Sequence, residues 1–220
     1  MRAPKVRTEI RKEQIAHAAL AIISRDGFHR LSIAELARDV GVVPSAVYRH
    51  YRGKDEVLDA VLDLISERLV ANVAAVRAEA PTCLERLRLL LLRHVRLVRT
   101  EIPIPRVVLS EEIFAGDPSR RKRAHRLFQR YLAGVADIVR EGQAGTEVRP
   151  GLCPDTVSVM FLGLVQPAAI LWILSEGDFD MAGHVERAWA VFAQAIRAET
   201  IRTGGTRLRA RPGNGDGRAA

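Results

Sequence analysis

The residues whose types and spacing carry chemistry in this chain lie between Leu31 and Lys54, LSIAELARDVGVVPSAVYRHYRGK, where hydroxyl, carboxylate, glycine and proline stand at positions that start and stop short helices. Ser32 and Glu35 form an S-x-x-E capping box, in which a hydroxyl and a carboxylate each satisfy a backbone N–H left without a partner at a helix start. A short helix is therefore predicted from Ile33. Ile33, Ala34, Leu36, Ala37 and Val40 give it an apolar stripe at helical spacing, and Gly41 can turn with positive φ. Pro44 fits the first turn of a second helix, because its missing N–H has no intrahelical partner there and its φ is already helical. That helix is predicted to run to about His50. Two short helices joined through a Gly-containing turn match the helix-turn-helix, whose second helix reads the major groove.

Bond-making chemistry finds no comparable pattern. The chain has no H-E-x-x-H, G-x-S-x-G, P-loop or dinucleotide fingerprint, and its six histidines have no histidine partner three or four residues on. No enzyme is expected. Cys83 and Cys153 lack a second cysteine or a histidine at ligand spacing, so neither a disulfide framework nor a metal site is expected, nor any cofactor. The opening MRAPKVRTEIRKE has no apolar core of a secretory signal. The longest apolar stretch, Val157 to Leu174, is interrupted by Gly163, Gln166 and Pro167. It falls short of the roughly 20 residues that cross a bilayer, and reads as a buried or interface helix. A reducing cytoplasm and no membrane partner are the expectation.

The formal charge of +8 is unevenly placed. Residues 1–55 carry 11 basic and 6 acidic residues, residues 56–196 carry 17 and 18, and the last 24 carry 6 and 2. Positive charge thus sits at the groove-reading end and in the C-terminal tail while the body is neutral, as suits a module that neutralises phosphates.

These residues must be positioned by helices, and the periodicity predicts an all-α chain of about nine of them. A first helix should run from about Thr8 to Asp26 with an inner stripe of Ile15, Ala19, Ile22 and Ile23, ended by Gly27. A long helix should begin near Lys54 and stop before Pro81, and a second capping box, Thr82 with Glu85, should open the next. Pro103 and Pro105 start a short helix that ends at Gly116. Asp117 and Pro118 then cap a long helix to about Glu141, followed by a loop over 142–154. A helix from about Asp155 to Glu176, bent at Pro167, and one from Asp180 to about Ile201 complete the count. With 48% hydrophobic residues the chain can bury a sizeable core. The division is a helix-turn-helix domain with a basic N-terminal arm over 1–55, a larger helical domain over 56–202, and a Gly/Arg-rich tail over 203–220 predicted to be disordered.

Ser32, Ile33, Ala34, Gly41, Val42, Tyr48, His50, Tyr51, Lys54 and Asp55 together resemble the DNA-binding pattern of the tetracycline-repressor (TetR) family of bacterial transcription regulators. The likeness covers roughly residues 8 to 60 as motif, and beyond them only length and helix pattern. One departure is visible: Val43 stands where many members carry Ser or Thr before the recognition helix, which removes a cap and a phosphate contact.

The resemblance implies that Ser32, Tyr48, His50 and Lys54 hold phosphates, contacts that set register without reading sequence. Base reading then falls to Ala34, Pro44, Ser45 and Ala46, with Pro44 or Ala46 against a thymine methyl and Ser45 hydrogen-bonding a base edge. Arg49 reaches a phosphate or a guanine, His50 has an alternative as a capping residue, and Val47 and Tyr51 are packing residues. The basic arm Arg2, Lys5 and Arg7 either meets the DNA or is a solvated tail. A module this small implies a homodimer on a near-palindromic double-stranded operator, its reading helices roughly 34–36 Å apart. The implied dimer face lies on the last two helices: Val157, Phe161, Leu164, Val165, Ala168, Leu171 and Trp172 with Val185, Trp189, Phe192 and Ile196, a stripe that serves equally as plain core.

An unidentified small-molecule effector is also implied, held in the larger domain by Leu91, His94, Val95, Val98, Phe114, Phe128, Tyr131, Met160 and Gln166 unless these are core, and releasing DNA through the long helix from Lys54. The run from Arg120 to Arg123 reads as a solvated helix face or an attraction for an anionic effector. The function implied is a sequence-specific regulator, a repressor by family habit. The rival reading is a non-specific DNA-coating protein.

Overall fold

Pro4 opens the first helix, α1 (Pro4–Asp26), one turn earlier than the Thr8 cap suggests, and proline suits a first turn where no N–H is needed. The computed structural model describes residues 4–101, 104–108, 110–114 and 116–198, so the C-terminal tail and Arg2 lie outside the described residues. Ile15, Ala19, Ile22 and Ile23 are buried, which is the stripe read from the sequence. Gly27, at φ 83°, ends α1 and leads through a single 3₁₀ turn over Phe28–Arg30.

The two short helices follow as α2 (Ile33–Val40) and α3 (Pro44–Tyr48). The long α4 (Lys54–Glu79) leaves the three-helix head and runs through the body, with Val57, Leu58, Val61, Leu62, Ile65, Leu69, Val73 and Val76 buried along it. No gap in packing separates head from body, because one contiguous set of buried side chains extends from Ile15 to Ile196. The boundary expected at residue 55 therefore falls inside the first turn of α4.

The body adds α5 (Cys83–Arg96), a π-helical turn over Leu97–Glu101, α6 (Ile104–Val108), α7 (Glu111–Phe114), α8 (Pro118–Ala144), α9 (Pro154–Gly163), α10 (Gln166–Leu174) and α11 (Met181–Ile196). Among the described residues, eleven α-helical segments become the nine expected when α6 with α7 and α9 with α10 are each counted as one interrupted helix. The second interruption falls at Leu164–Val165, ahead of Pro167. A proline ring clashes with the carbonyl four residues before it, here that of Gly163. The chain tightens there instead, with Leu164 N–H donating to Phe161 C=O and Val165 N–H to Leu162 C=O, both at 3.1 Å. The helical span from Pro154 to Leu174 is 21 residues, long and apolar enough by length and composition to cross a membrane, although its apolar stretch begins only at Val157. Its Val157, Ser158, Phe161, Val165, Ala168 and Ala169 are packed inside the protein.

The Thr82–Glu85 box is complete, each side chain bonding the other's backbone N–H. Asp117 caps α8 by accepting from Ser119 N–H at 2.8 Å. α8 continues to Ala144, past the expected stop, because Gly142 presses against Cys83: a Cβ there would lie 2.5 Å from its Sγ. Glu147 then accepts from the Cys83 N–H at 2.9 Å and so binds the end of α8 to the start of α5.

α4 and α8 are parallel and in step. Asp55 pairs with Arg120, Asp63 with Arg123, Arg130 donates to Ser66, and Arg77 pairs with Glu141. Residue numbers climb together on both helices, so the first turn of α8 is level with the first turn of α4.

Candidate nucleic-acid interface

Ser32 begins the site. In extended backbone, its Oγ accepts from Glu35 N–H at 3.1 Å and caps α2. The return half of the capping box is replaced, because the Glu35 carboxylate turns to the Arg38 guanidinium on the next turn. Gly41 adopts φ 71°, ψ 38°, and its N–H with that of Val42 covers the last carbonyls of α2. The chain then enters α3 at Val43, whose side chain supplies no cap.

α3 has two faces. Val47 is fully buried and Tyr51 nearly so, with the Tyr51 hydroxyl donating to the Lys12 carbonyl at 3.0 Å, which clamps the exit of α3 onto α1. On the other side Pro44, Ser45, Tyr48 and Arg49 are exposed, Tyr48 to 56%, and Ala34 of α2 is exposed beside them. Ala46 is half-buried. Regular α-helix stops at Tyr48, short of His50, and the chain closes by single turns from Val47 C=O.

Three residues are placed differently from an open phosphate-binding face. His50 is half-buried and lines a cleft of about 580 Å³ with Lys12, Glu13, Glu56, Asp59, Asp63, Glu67 and Arg123, a mainly acidic setting. Lys54 is half-buried at the start of α4, where its ammonium donates to the Phe28 carbonyl at 3.1 Å. Val43, taken from the sequence only as a missing cap, is 61% exposed at the entry of α3 and presents an apolar side chain beside Pro44 and Ser45. An apolar residue at a cap position was the available signal.

Arg120 and Arg123 correct the reading of their run as a solvated face. Arg120 is buried at the start of α8, its guanidinium 2.7 Å from Asp55 and 3.4 Å from Asp59. Arg123 reaches Asp59 at 3.7 Å and Asp63 at 2.7 Å. Arg121 and Lys122 are exposed.

Of the effector candidates, Leu91, His94, Val95, Val98 and Tyr131 are buried, Phe128 and Gln166 half-buried, and the Phe114 side chain lies outside the described residues. Met160 is exposed on α9, which removes it from an interior lining. His94 and Tyr131 meet across α5 and α8 with Nδ1 and Oη 3.1 Å apart and rings edge to face. Burial pushes the His94 imidazole down to about 4 and the Tyr131 phenol upward, so both are neutral at pH 7 and share one hydrogen bond whose direction follows the imidazole tautomer.

The dimer candidates divide by burial. Val157, Phe161, Val165, Ala168, Val185, Trp189, Phe192 and Ile196 fill the protomer's own core, with Phe192 ringed by Phe161 and Trp189 at 6.0 and 5.9 Å. Leu164 and Trp172 are half-buried and Leu171 is exposed. The outward apolar surface of the last helices is instead Val159, Met160, Ile170, Leu171, Leu174 and Val191. A near-continuous apolar pattern did not reveal which side faced out.

A three-helix head with one short helix exposed along a face of small and polar side chains, carried by a long helix into a larger α-helical body, defines a helix-turn-helix DNA-binding protein. Residues 15–61 match the family model described as bacterial regulatory proteins, tetR family, and residues 64–195 match that of the YsiA-like protein, C-terminal region. The chain belongs to the TetR family and is a DNA-binding transcription regulator. It is 24% identical over 188 residues to the nucleoid occlusion factor SlmA of Vibrio vulnificus, covering 85% of this chain and 96% of that one. It is 21% identical over 168 residues to the fatty acid metabolism regulator protein of Bacillus subtilis, covering 76% and 86%. Its fold matches the crystal structure of the transcriptional regulator FadR from Bacillus subtilis in complex with stearoyl-CoA, with a TM-score of 0.72, 20% identity, and coverage of 83% and 98%.

Proposed function

We propose that α3 enters the major groove with Val43, Pro44, Ser45 and Ala46 toward base edges, while Ser32, Tyr48 and Arg49 take flanking phosphates. The two-sided burial of α3 carries this reading: Val47 and Tyr51 anchor it, and its other side chains are small enough for the helix to lie deep. Two copies bind a near-palindrome, associated through the outward apolar surface of α9 to α11, which includes Met160, Leu171, Leu174 and Val191.

An effector seated between α5 and α8 releases the DNA, and the neutral His94–Tyr131 pair supplies its polar anchor in an otherwise apolar wall. The stearoyl-CoA held by the Bacillus relative makes a long-chain acyl thioester the first effector to test. Such a ligand acts only through its difference in affinity between the DNA-bound and released arrangements. Repression is the mode that the family resemblance supports.

Selection of bound sequences from a random duplex pool tests the reading. A recovered palindrome whose half-sites are one helical turn apart is expected, with Tyr48→Ala weakening all sites alike and Ser45→Ala changing preference among them. A flat pool would replace a discrete operator by DNA coating. Stearoyl-CoA should then weaken binding to the recovered site; unchanged binding would remove the acyl thioester as effector.

A further inference from the structure

We infer that the first turns of α8 form a second contact with the DNA backbone, outside the helix-turn-helix, in which Arg121 and Lys122 hold phosphates flanking those taken by the head. The inference rests on α3 being the groove-reading element.

Two observations converge on it. α8 is in step with α4, and Arg120 stands 2.7 Å from Asp55, the residue after Lys54, so the start of α8 lies at the end of the body that carries the head. A helix of 27 residues is about 40 Å long, and its other end is bound to α5 through Gly142 and Glu147, far from that surface. Second, the α4 carboxylates beside the first turns of α8 are already committed: Asp55 and Asp59 to Arg120, and Asp59 and Asp63 to Arg123. Asp117 is occupied as the cap of α8. Arg121 and Lys122, exposed on the opposite side of the same turns, enter no ion pair among the described residues.

The ion-pair ladder thus spends two cations on holding α8 beside the head and leaves two in solvent. Long cationic side chains on a helix held at fixed height suit a repeating phosphate backbone.

The test is the salt dependence of binding, using the full-length protein and the duplex recovered by selection, extended by flanking base pairs. Each released phosphate contact lowers the slope of log K against log salt by about 0.9, so Arg121→Gln with Lys122→Gln should make it shallower by about 1.8 per protomer, without altering preference among sequences. Arg197→Gln, at the far end of the body, should leave the slope unchanged. Both positions are exposed, so an unchanged thermal melt accompanies the expected result. A slope equal to that of the unsubstituted protein, or one shifted equally by Arg197→Gln, overturns the proposal. If Tyr48→Ala also leaves binding intact, the fault lies with α3 as the reading element; if Tyr48→Ala weakens binding while the α8 variant does not, only the second contact fails.

Discussion

Replacing Arg120 by Met should loosen the joint between α8 and α4 while keeping most of the side chain's packing volume. The Arg120 side chain is only 5% exposed, yet its partners differ: Asp55 is 84% exposed and Asp59 28%. Breaking a fully buried pair costs about 3–5 kcal/mol, whereas an exposed pair is worth about 0.2–1 kcal/mol. The Asp55 contact, though 2.7 Å long, belongs near the lower range because water screens its carboxylate. The Asp59 contact at 3.4 Å is an ion pair without hydrogen-bond geometry, and its loss leaves Asp59 with Arg123 at 3.7 Å. Together these give a destabilisation of about 2 kcal/mol, between the two limits. A urea midpoint lowered by on the order of 1 M, with unchanged slope, is the expected reading. All variants must be melted at one protein concentration, since association shifts apparent stability. Asp59→Asn completes a double-mutant cycle, in which a coupling of about 1 kcal/mol is expected. A loss below about 0.5 kcal/mol for Arg120→Met, or strict additivity with Asp59→Asn, would refute the view that this ladder holds the body to the head.

Other consequences are open to the same kind of measurement. His94, with its folded pKa pushed down to about 4 from 6.5, leaves the unfolded chain to bind a proton first as pH falls, so stability is full above about 6.5 and is lost down to about 4. Between pH 7.5 and 5 the wild-type protein should lose about 2 kcal/mol more than His94→Gln, and equal losses would deny the neutral buried imidazole. Gly142→Ala places a Cβ 2.5 Å from Cys83 Sγ and 2.9 Å from Val148, with no flexible side-chain end to yield; a melt should reveal about 1–3 kcal/mol of destabilisation. Leu174→Glu with Val191→Glu charges the outward apolar surface and should yield monomers by light scattering and weak operator binding, whereas an intact dimer would place the interface elsewhere.

Local chemistry made much of the head legible before any coordinates. Caps, a glycine turn and a proline act within a few residues, which is why Ser32, Gly41, Pro44 and Thr82 stand at the helix boundaries they announce. The stripe of Ile15, Ala19, Ile22 and Ile23 was equally plain, because a helix with one polar side has only one way to turn. The same rule fails on α9 to α11, where apolar residues surround the helices. Phe161 and Trp189 proved to be core, and Leu174 and Val191 proved to be surface.

Sequence alone therefore determined the all-helical class, the helix-turn-helix and its family, since these depend on short-range pattern. Tertiary structure decided which of several equivalent residues face inward, that Lys54 bonds the Phe28 carbonyl, and that one basic run divides between an ion-pair ladder, Arg120 and Arg123, and solvent, Arg121 and Lys122. Those outcomes depend on what lies across the packing interface, in this case the carboxylates of α4 some sixty residues earlier, and no local spacing encodes that partner.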